Sequence, residues 1–241
     1  MLVLALDTST PAGSVALARD TELLGCRCGD PARTHGERLP GDLLALLAEH
    51  GLAVDDVDVF AACCGPGSFT GLRVGLATVQ ALALVNGRQL VTVPTLEAVA
   101  RAARLDAAGA TRAPLVGAWM NAHRGEVFAA LYEAPPAAGA EPLVELAAPV
   151  AAAPEVAARQ WAELLRGDGR QVVIIGDAVE PTRPLLEREL DCSLLLGEDL
   201  PPLAPIAAGL AVAGRTAGSP HAARPVYVRR PDAELARLKL R

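Results

Sequence analysis

Three short stretches carry the side chains best able to bind or react. Leu4-Ala5-Leu6-Asp7-Thr8-Ser9 puts a carboxylate at the end of a strand-like run, with hydroxyls in the turn that follows. Such a carboxylate can face phosphates or their metal ion, yet Asp and Ser are also what an ordinary turn selects. Gly65-Pro66-Gly67-Ser68-Phe69-Thr70-Gly71 follows an apolar run and precedes a helical pattern that opens at Leu72. Amide groups at a helix N-terminus, with glycines that permit close approach, make an anion cradle; the same residues also suit a turn capped by Thr70. Asp7, Thr8, Ser9, Gly65, Gly67 and Ser68 are therefore the candidate vestigial phosphate or nucleotide cleft. Arg73, in the first helical turn, opposes the helix dipole. A strand carboxylate, a bound anion or a partner chain must compensate it.

Several chemistries are excluded. The glycine loop lacks the Lys of a P-loop and the third Gly of a dinucleotide fingerprint. His35, His50, His123 and His221 are the only histidines and no two are four apart, so neither H-E-x-x-H nor H-x-x-x-H exists. His35 reads as a surface or helix-cap residue. Gly65 to Phe69 does not fit the G-x-S-x-G of a serine hydrolase. The five cysteines, Cys26-x-Cys28 and Cys63-Cys64 among them, are poorly spaced for zinc and read as buried small apolar side chains. No catalytic residue, metal ligand set or cofactor is expected.

The elements that must position these residues follow from periodicity. Leu2–Leu6, Ser14–Ala18 and Glu22–Cys28 read as strands, the last two joined by a turn at Asp20 and Thr21. Gly36–His50 is an amphipathic helix, Val57–Cys64 a strand, Leu72–Val85 a helix, Leu90–Val93 a strand and Thr95–Leu105 a helix. The order then restarts. Leu115–Met120, Glu126–Tyr132 and Leu143–Leu146 read as strands, Pro154–Leu165 as a helix, Val172–Gly176 as a strand, and Pro181–Leu190 and Leu203–Ala213 as helices; Pro225–Arg229 is a short extended piece.

A repeated order of this kind implies two α/β lobes with a mixed sheet in each. It resembles the two-lobed actin-like superfamily, also called ASKHA or RNase H-like. We expect lobes at residues 1–108 and 109–241, with a C-terminal segment packed back on the first. The length of 241 residues fits two units of about 120 each.

The first two helices are apolar beyond one face. Leu39, Leu43, Leu46 and Leu47 line one side of the first, while Leu44, Ala45 and Ala48 continue it. Gly71, Val74, Gly75, Thr78 and Leu82 form a small-residue stripe on the second, and Ala77, Ala81, Leu84 and Val85 extend it. A helix apolar most of the way round seeks contact on two sides. These stripes are the expected partner interface. The net charge of −6 opposes attraction to a phosphate backbone, so any RNA is expected to be held by another chain. Apolar runs fall short of the roughly 18 residues of a membrane span, and the strand-like start lacks a basic leader. A cytoplasmic protein is expected.

Together, Leu4–Ser9, His35, Gly65–Gly75, Arg124–Gly125–Glu126–Val127–Phe128 and Pro225–Val228 resemble the TsaB (YeaZ) family. The resemblance implies a non-catalytic partner of the paralogue TsaD in tRNA threonylcarbamoyladenosine synthesis. TsaD holds metal through an H-x-x-x-H segment that this chain lacks. It also implies that the first two helices contact TsaD or a second copy, that an ATPase, TsaE, docks on the pair, and that tRNA is met only through the complex. An actin-like small-molecule kinase or ATPase is the competing reading, and a glycoprotease-like peptidase the third.

Overall fold

The computed structural model describes residues 1–103, 114–133, 139–197 and 200–229. The chain runs β1 (Leu2–Asp7), β2 (Ser14–Arg19), β3 (Glu22–Cys28), α1 (His35–Glu49), β4 (Val59–Cys63), α2 (Phe69–Val85), β5 (Gln89–Val93) and α3 (Thr95–Ala102). It repeats with β6 (Leu115–Asn121), β7 (Val127–Glu133), β8 (Glu145–Ala152), α4 (Pro154–Leu165), β9 (Val172–Ile175), α5 (Val179–Glu189), β10 (Leu194–Gly197) and α6 (Ala204–Val212). The first sheet has the order β3-β2-β1-β4-β5, and the second the equivalent β8-β7-β6-β9-β10. In each, the first three strands pair antiparallel and the last two join in parallel. The expected mixed sheet is thus present in both halves; the expected boundary at 108/109 lies outside the described residues.

Two expectations change. The third strand of the second half is Glu145–Ala152, where the sequence suggested Leu143–Leu146. Its alanines and Pro149 look like a loop, and the strand accepts them because β8 pairs with β7 alone, on an edge where proline costs no ladder bond. β10 was not anticipated: four residues, Leu194–Gly197, carry too little periodicity to read. Pro225–Arg229, read as a short extended piece, joins neither sheet and is tied to the first half by the Val226 amide.

Layering follows from which faces are apolar. On the outer side of the first sheet, Leu4, Leu6, Leu17 and Phe60 pack against Leu39, Leu43, Leu46 and Leu47 of α1 and Leu76 and Val79 of α2. On the outer side of the second, Trp119 meets Trp161 of α4 edge-on, ring centroids 5.0 Å apart, with Leu186 of α5 in the same core. Between the sheets lie α3 and α6. α3 packs on β6 and β7, whereas α6 packs on β1, β2 and β4. Covered on more than one side, α6 is apolar almost throughout, Ala-Pro-Ile-Ala-Ala-Gly-Leu-Ala-Val.

One charged cluster ties these inner layers together. Glu97 of α3 is buried and accepts hydrogen bonds from Arg101 Nε at 2.9 Å and from both terminal nitrogens of Arg215, just past α6. Arg101 also donates to the Gly139 carbonyl at 3.1 Å. Removing the carboxylate leaves two poorly hydrated guanidinium groups unpaired, which typically costs about 3–5 kcal/mol. Glu97→Ala should therefore lower unfolding free energy by about that amount in urea denaturation, and a loss below about 1 kcal/mol would show that the cluster is dispensable.

Candidate functional site

Asp7 ends β1 next to parallel β4, where the strand termini open between the two sheets. Its side chain is 1% exposed. Oδ1 accepts from the Ser9 amide at 3.0 Å and the Ser9 hydroxyl at 2.5 Å, and Oδ2 from the Thr10 hydroxyl at 3.5 Å. Burial pushes the Asp7 carboxyl above its usual range despite these donors, which pull it down. The neighbouring Cys63 thiol is pushed far up by burial and by the Asp7 charge.

The turn after Asp7 is held from α1. Glu37 anchors the start of that helix by accepting from the Thr34 amide at 2.9 Å and the Thr34 hydroxyl at 2.7 Å. His35 then sits half-buried with Nε2 3.0 Å from the Thr10 carbonyl and Nδ1 2.9 Å from Arg38 Nη2. Burial first, and the Arg38 charge second, lower the His35 pKa, so the neutral ring donates from Nε2 and accepts at Nδ1. Arg38, itself buried, donates to the Ala12 carbonyl and to Asp42 at 3.0 Å. His35, expected as a surface or helix-cap residue, stands at the first position of α1 and clamps the turn.

The glycine loop is filled by the chain itself. The Ser68 amide donates to the Ser9 carbonyl at 2.8 Å, the Gly65 amide to the Thr95 hydroxyl at 3.0 Å, and the Val226 amide to the Cys64 carbonyl at 2.7 Å. Gly65 has φ +114°, and a Cβ there would lie 2.4 Å from the Val226 carbonyl. A Cβ on Gly67 would meet Ser9 at 2.6 Å; on Gly71, the Thr8 carbonyl at 2.2 Å; on Gly75, Thr8 Oγ1 at 2.1 Å. Helix α2 starts at Phe69, and its cap is Ser68, whose hydroxyl accepts from the Gly71 amide at 3.2 Å, not Thr70. Arg73 finds no carboxylate among the described residues. Its Nε donates to Tyr227 Oη at 2.9 Å, and its guanidinium lies 3.8 Å from the Phe69 ring centre. Arg229 continues this C-terminal segment to Glu126 and to the His123 carbonyl in the second half. The segments Leu4–Ser9, His35, Gly65–Gly75, Arg124–Phe128 and Pro225–Val228, scattered in sequence, form one connected set of contacts.

A cavity of about 330 Å³ opens beside this set, lined by Asp7, the Thr10–Ser14 turn, Cys28, Asp177 and Leu200–Leu203. Of the six expected cleft residues, Asp7 alone lines it; Thr8 and Ser9 are buried, and Gly65, Gly67 and Ser68 face the chain's own segments. Asp177 was missed. It follows β9, receives the Asn121 amide at 2.8 Å, and has its carboxyl pushed up by burial. The internal repeat was the one available signal, since β9 is the counterpart of β4. Among the described residues, no three His, Cys, Asp or Glu side chains are placed to share an ion, and no helix is long and apolar enough to cross a membrane.

The expected interface residues divide. Leu39, Leu43, Leu46 and Leu47 are at most 2% exposed, and Gly71 and Gly75 are buried, so these six serve the chain's own core. Their apolar periodicity marked the inward face of each helix. Val74, Thr78 and Leu82 are half-buried at its margin. The outward face carries Leu44, Ala48, Phe69, Arg73, Ala77, Ala81, Leu84 and Val85. Cys63 and Cys64 are buried as expected, but Cys26 and Cys28 are exposed.

Residues 29–143 match the family model of the tRNA N6-adenosine threonylcarbamoyltransferase TsaD. A Mycobacterium tuberculosis protein is 33% identical over 96% of this chain and 93% of its own length. The tRNA threonylcarbamoyladenosine biosynthesis protein TsaB of Escherichia coli is 37% identical over 55% of each chain. The solved structure of YeaZ from Pseudomonas aeruginosa superposes with a TM-score of 0.73 at 28% identity, covering 94% of this chain and 99% of that one. The repeated topology, with helices between its sheets and a buried carboxylate at the strand ends, defines a two-lobed α/β protein of the actin-like class. The chain belongs to the TsaB (YeaZ) family, named for tRNA threonylcarbamoyladenosine biosynthesis.

Two variants test this geometry. Gly75→Leu forces Thr8 aside, and overpacking of this kind costs about 1–3 kcal/mol. At about 2–4 °C per kcal/mol the melting temperature should fall measurably; an unchanged value would show that the turn yields freely. Asp7 has a higher pKa folded than unfolded, so its contribution is fullest below about 3.8 and is lost as pH rises through the folded value. Asp7→Asn cannot ionise. Its melting temperature relative to the parent chain should rise as the pH climbs above about 3.8 and level off once Asp7 is ionised in the folded chain, and a difference that stays flat throughout would refute the shift.

Proposed function

We propose that this chain is a non-catalytic subunit required for threonylcarbamoylation of the adenosine next to the anticodon in tRNA. It binds and stabilises a TsaD-type catalytic paralogue through the outer faces of α1 and α2, and the joined pair offers the site for a TsaE-type ATPase. Alone, the same face pairs with a second copy. The complex is cytoplasmic, and tRNA meets this chain only within it.

The observation that carries the reading is the outward face of α2. Phe69, Arg73, Ala77, Ala81 and Leu84 recur at three- and four-residue spacing on its exposed side, with Val85 86% exposed and Leu44 of α1 57% exposed. At 1.5 Å per residue this stripe is about 22 Å long, and its small residues let a partner helix come close. The amide-rich loop, where an anion would bind, meanwhile supports the same reading by closing on Ser9 and Val226.

One observation favours the second reading, a small-molecule kinase or ATPase: Asp7 and Asp177, one from each half, border a single cavity. Turnover of a nucleotide by the pure chain would favour it.

Ala81→Glu is the direct test. A carboxylate carried unpaired into an apolar contact costs about 3 kcal/mol or more, hence about a hundredfold in affinity. The variant should melt like the parent chain, bind a TsaD-type partner about a hundredfold more weakly, and fail to support tRNA modification in a reconstituted assay. Parental affinity with full modification would remove α2 from the interface.

A further inference from the structure

β3 is the outer strand of the first sheet, and its cysteines hold alternate positions, Cys26 opposite Ala16 and Cys28 opposite Ser14. Alternate residues share a face. The other face is occupied: Gly25 abuts Leu46 and His50, and Arg27 pairs with Glu49. Both thiols are exposed on that shared face. Cys28 also borders the cavity that contains Asp7 and Asp177.

This geometry discriminates among thiol chemistries. Two residues apart on an antiparallel strand, Cα atoms lie about 6.8 Å from each other, the outer limit for a direct disulfide. An inserted ion relaxes that limit, because two metal–sulfur bonds of about 2.3 Å span about 4.6 Å between sulfurs. Zinc requires four ligands, and the described residues offer no third His, Cys, Asp or Glu to complete a set. Thiolates without harder companions select soft cations.

We propose that Cys26 and Cys28 form a two-thiolate site for a single soft cation of the Cu(I) class, a property independent of the partner reading above. Each thiol gives up its proton and two sulfur–metal bonds form, with no change of oxidation state. Partial burial first, and the adjacent Cys28 second, push the Cys26 thiol up to about 11, so protons compete with the ion at neutral pH. Where both thiols are protonated, two protons leave per ion bound, and affinity falls about a hundredfold for each unit of falling pH.

The test is an anaerobic titration of the reduced full chain with Cu(I) buffered by bicinchoninate, with stoichiometry read by native mass spectrometry. One ion should bind per chain. Cys26→Ser and Cys28→Ser should each abolish binding, whereas Cys192→Ser should leave it intact, and circular dichroism melts should show all three variants folded. Binding retained by either single variant overturns the proposal, as does binding lost in Cys192→Ser or absent from the parent chain. A reduced preparation lighter by two hydrogens, the mark of a Cys26–Cys28 disulfide, overturns it as well.

Discussion

The seating of the turn after β1 on the glycine face of α2 is the contact on which the rest of the first half depends. Thr8 enters the space that side chains at positions 71 and 75 would fill, so turn and helix approach at backbone distance. Ser9 can then accept the Ser68 amide, which fixes the loop that starts the helix. Asp7 is buried beneath at the edge of the cavity, where Ser9 of its own turn donates to it. His35 and Arg38 close the opposite side by holding the Thr10 and Ala12 carbonyls. Remove the close approach and each of these bonds loses its partner's position. A loop that resembles a phosphate cradle has become an internal joint.

This joint explains why the element order was legible and the roles of individual residues less so. The first three strands, α1 and α4 were readable almost to the residue, because alternation and helical periodicity report burial directly. The glycines of Gly65–Gly75 were equally visible, but a glycine says only that something comes close. Whether that is an anion, a partner helix or the chain's own Thr8 depends on segments far away in sequence. The four leucines of α1 illustrate the same limit: apolar spacing identifies a buried face without saying whether its cover is internal. Asp177 and β10 were missed because their local signals, a turn aspartate and a four-residue leucine run, are common; the repeat gives them meaning.

A second consequence concerns Arg73. Placed against the dipole at the start of α2, it is compensated by the faces of Phe69 and Tyr227 rather than by a carboxylate. That choice leaves a cation and two aromatic rings, Phe69 and Tyr227 being more than a third exposed, at one end of the outward apolar stripe. Tyrosine and arginine are the residue types that dominate binding energy at interfaces. The same contacts carry the C-terminal segment across from the first half to the second, so the exposed face and the junction of the halves share residues.

The exchange of helices between the sheets also dictates when this molecule can become stable during its synthesis. The inner face of β1, β2 and β4 is covered by α6, more than one hundred residues downstream of β5. At translation rates of about 5–20 residues per second, that apolar face waits on the order of ten seconds for its cover. The N-terminal half therefore cannot complete its core as it emerges, unlike a simple tandem of domains in which the first folds while the second is being made. Such dependence on distant pairing slows folding and lengthens the exposure of sticky strands.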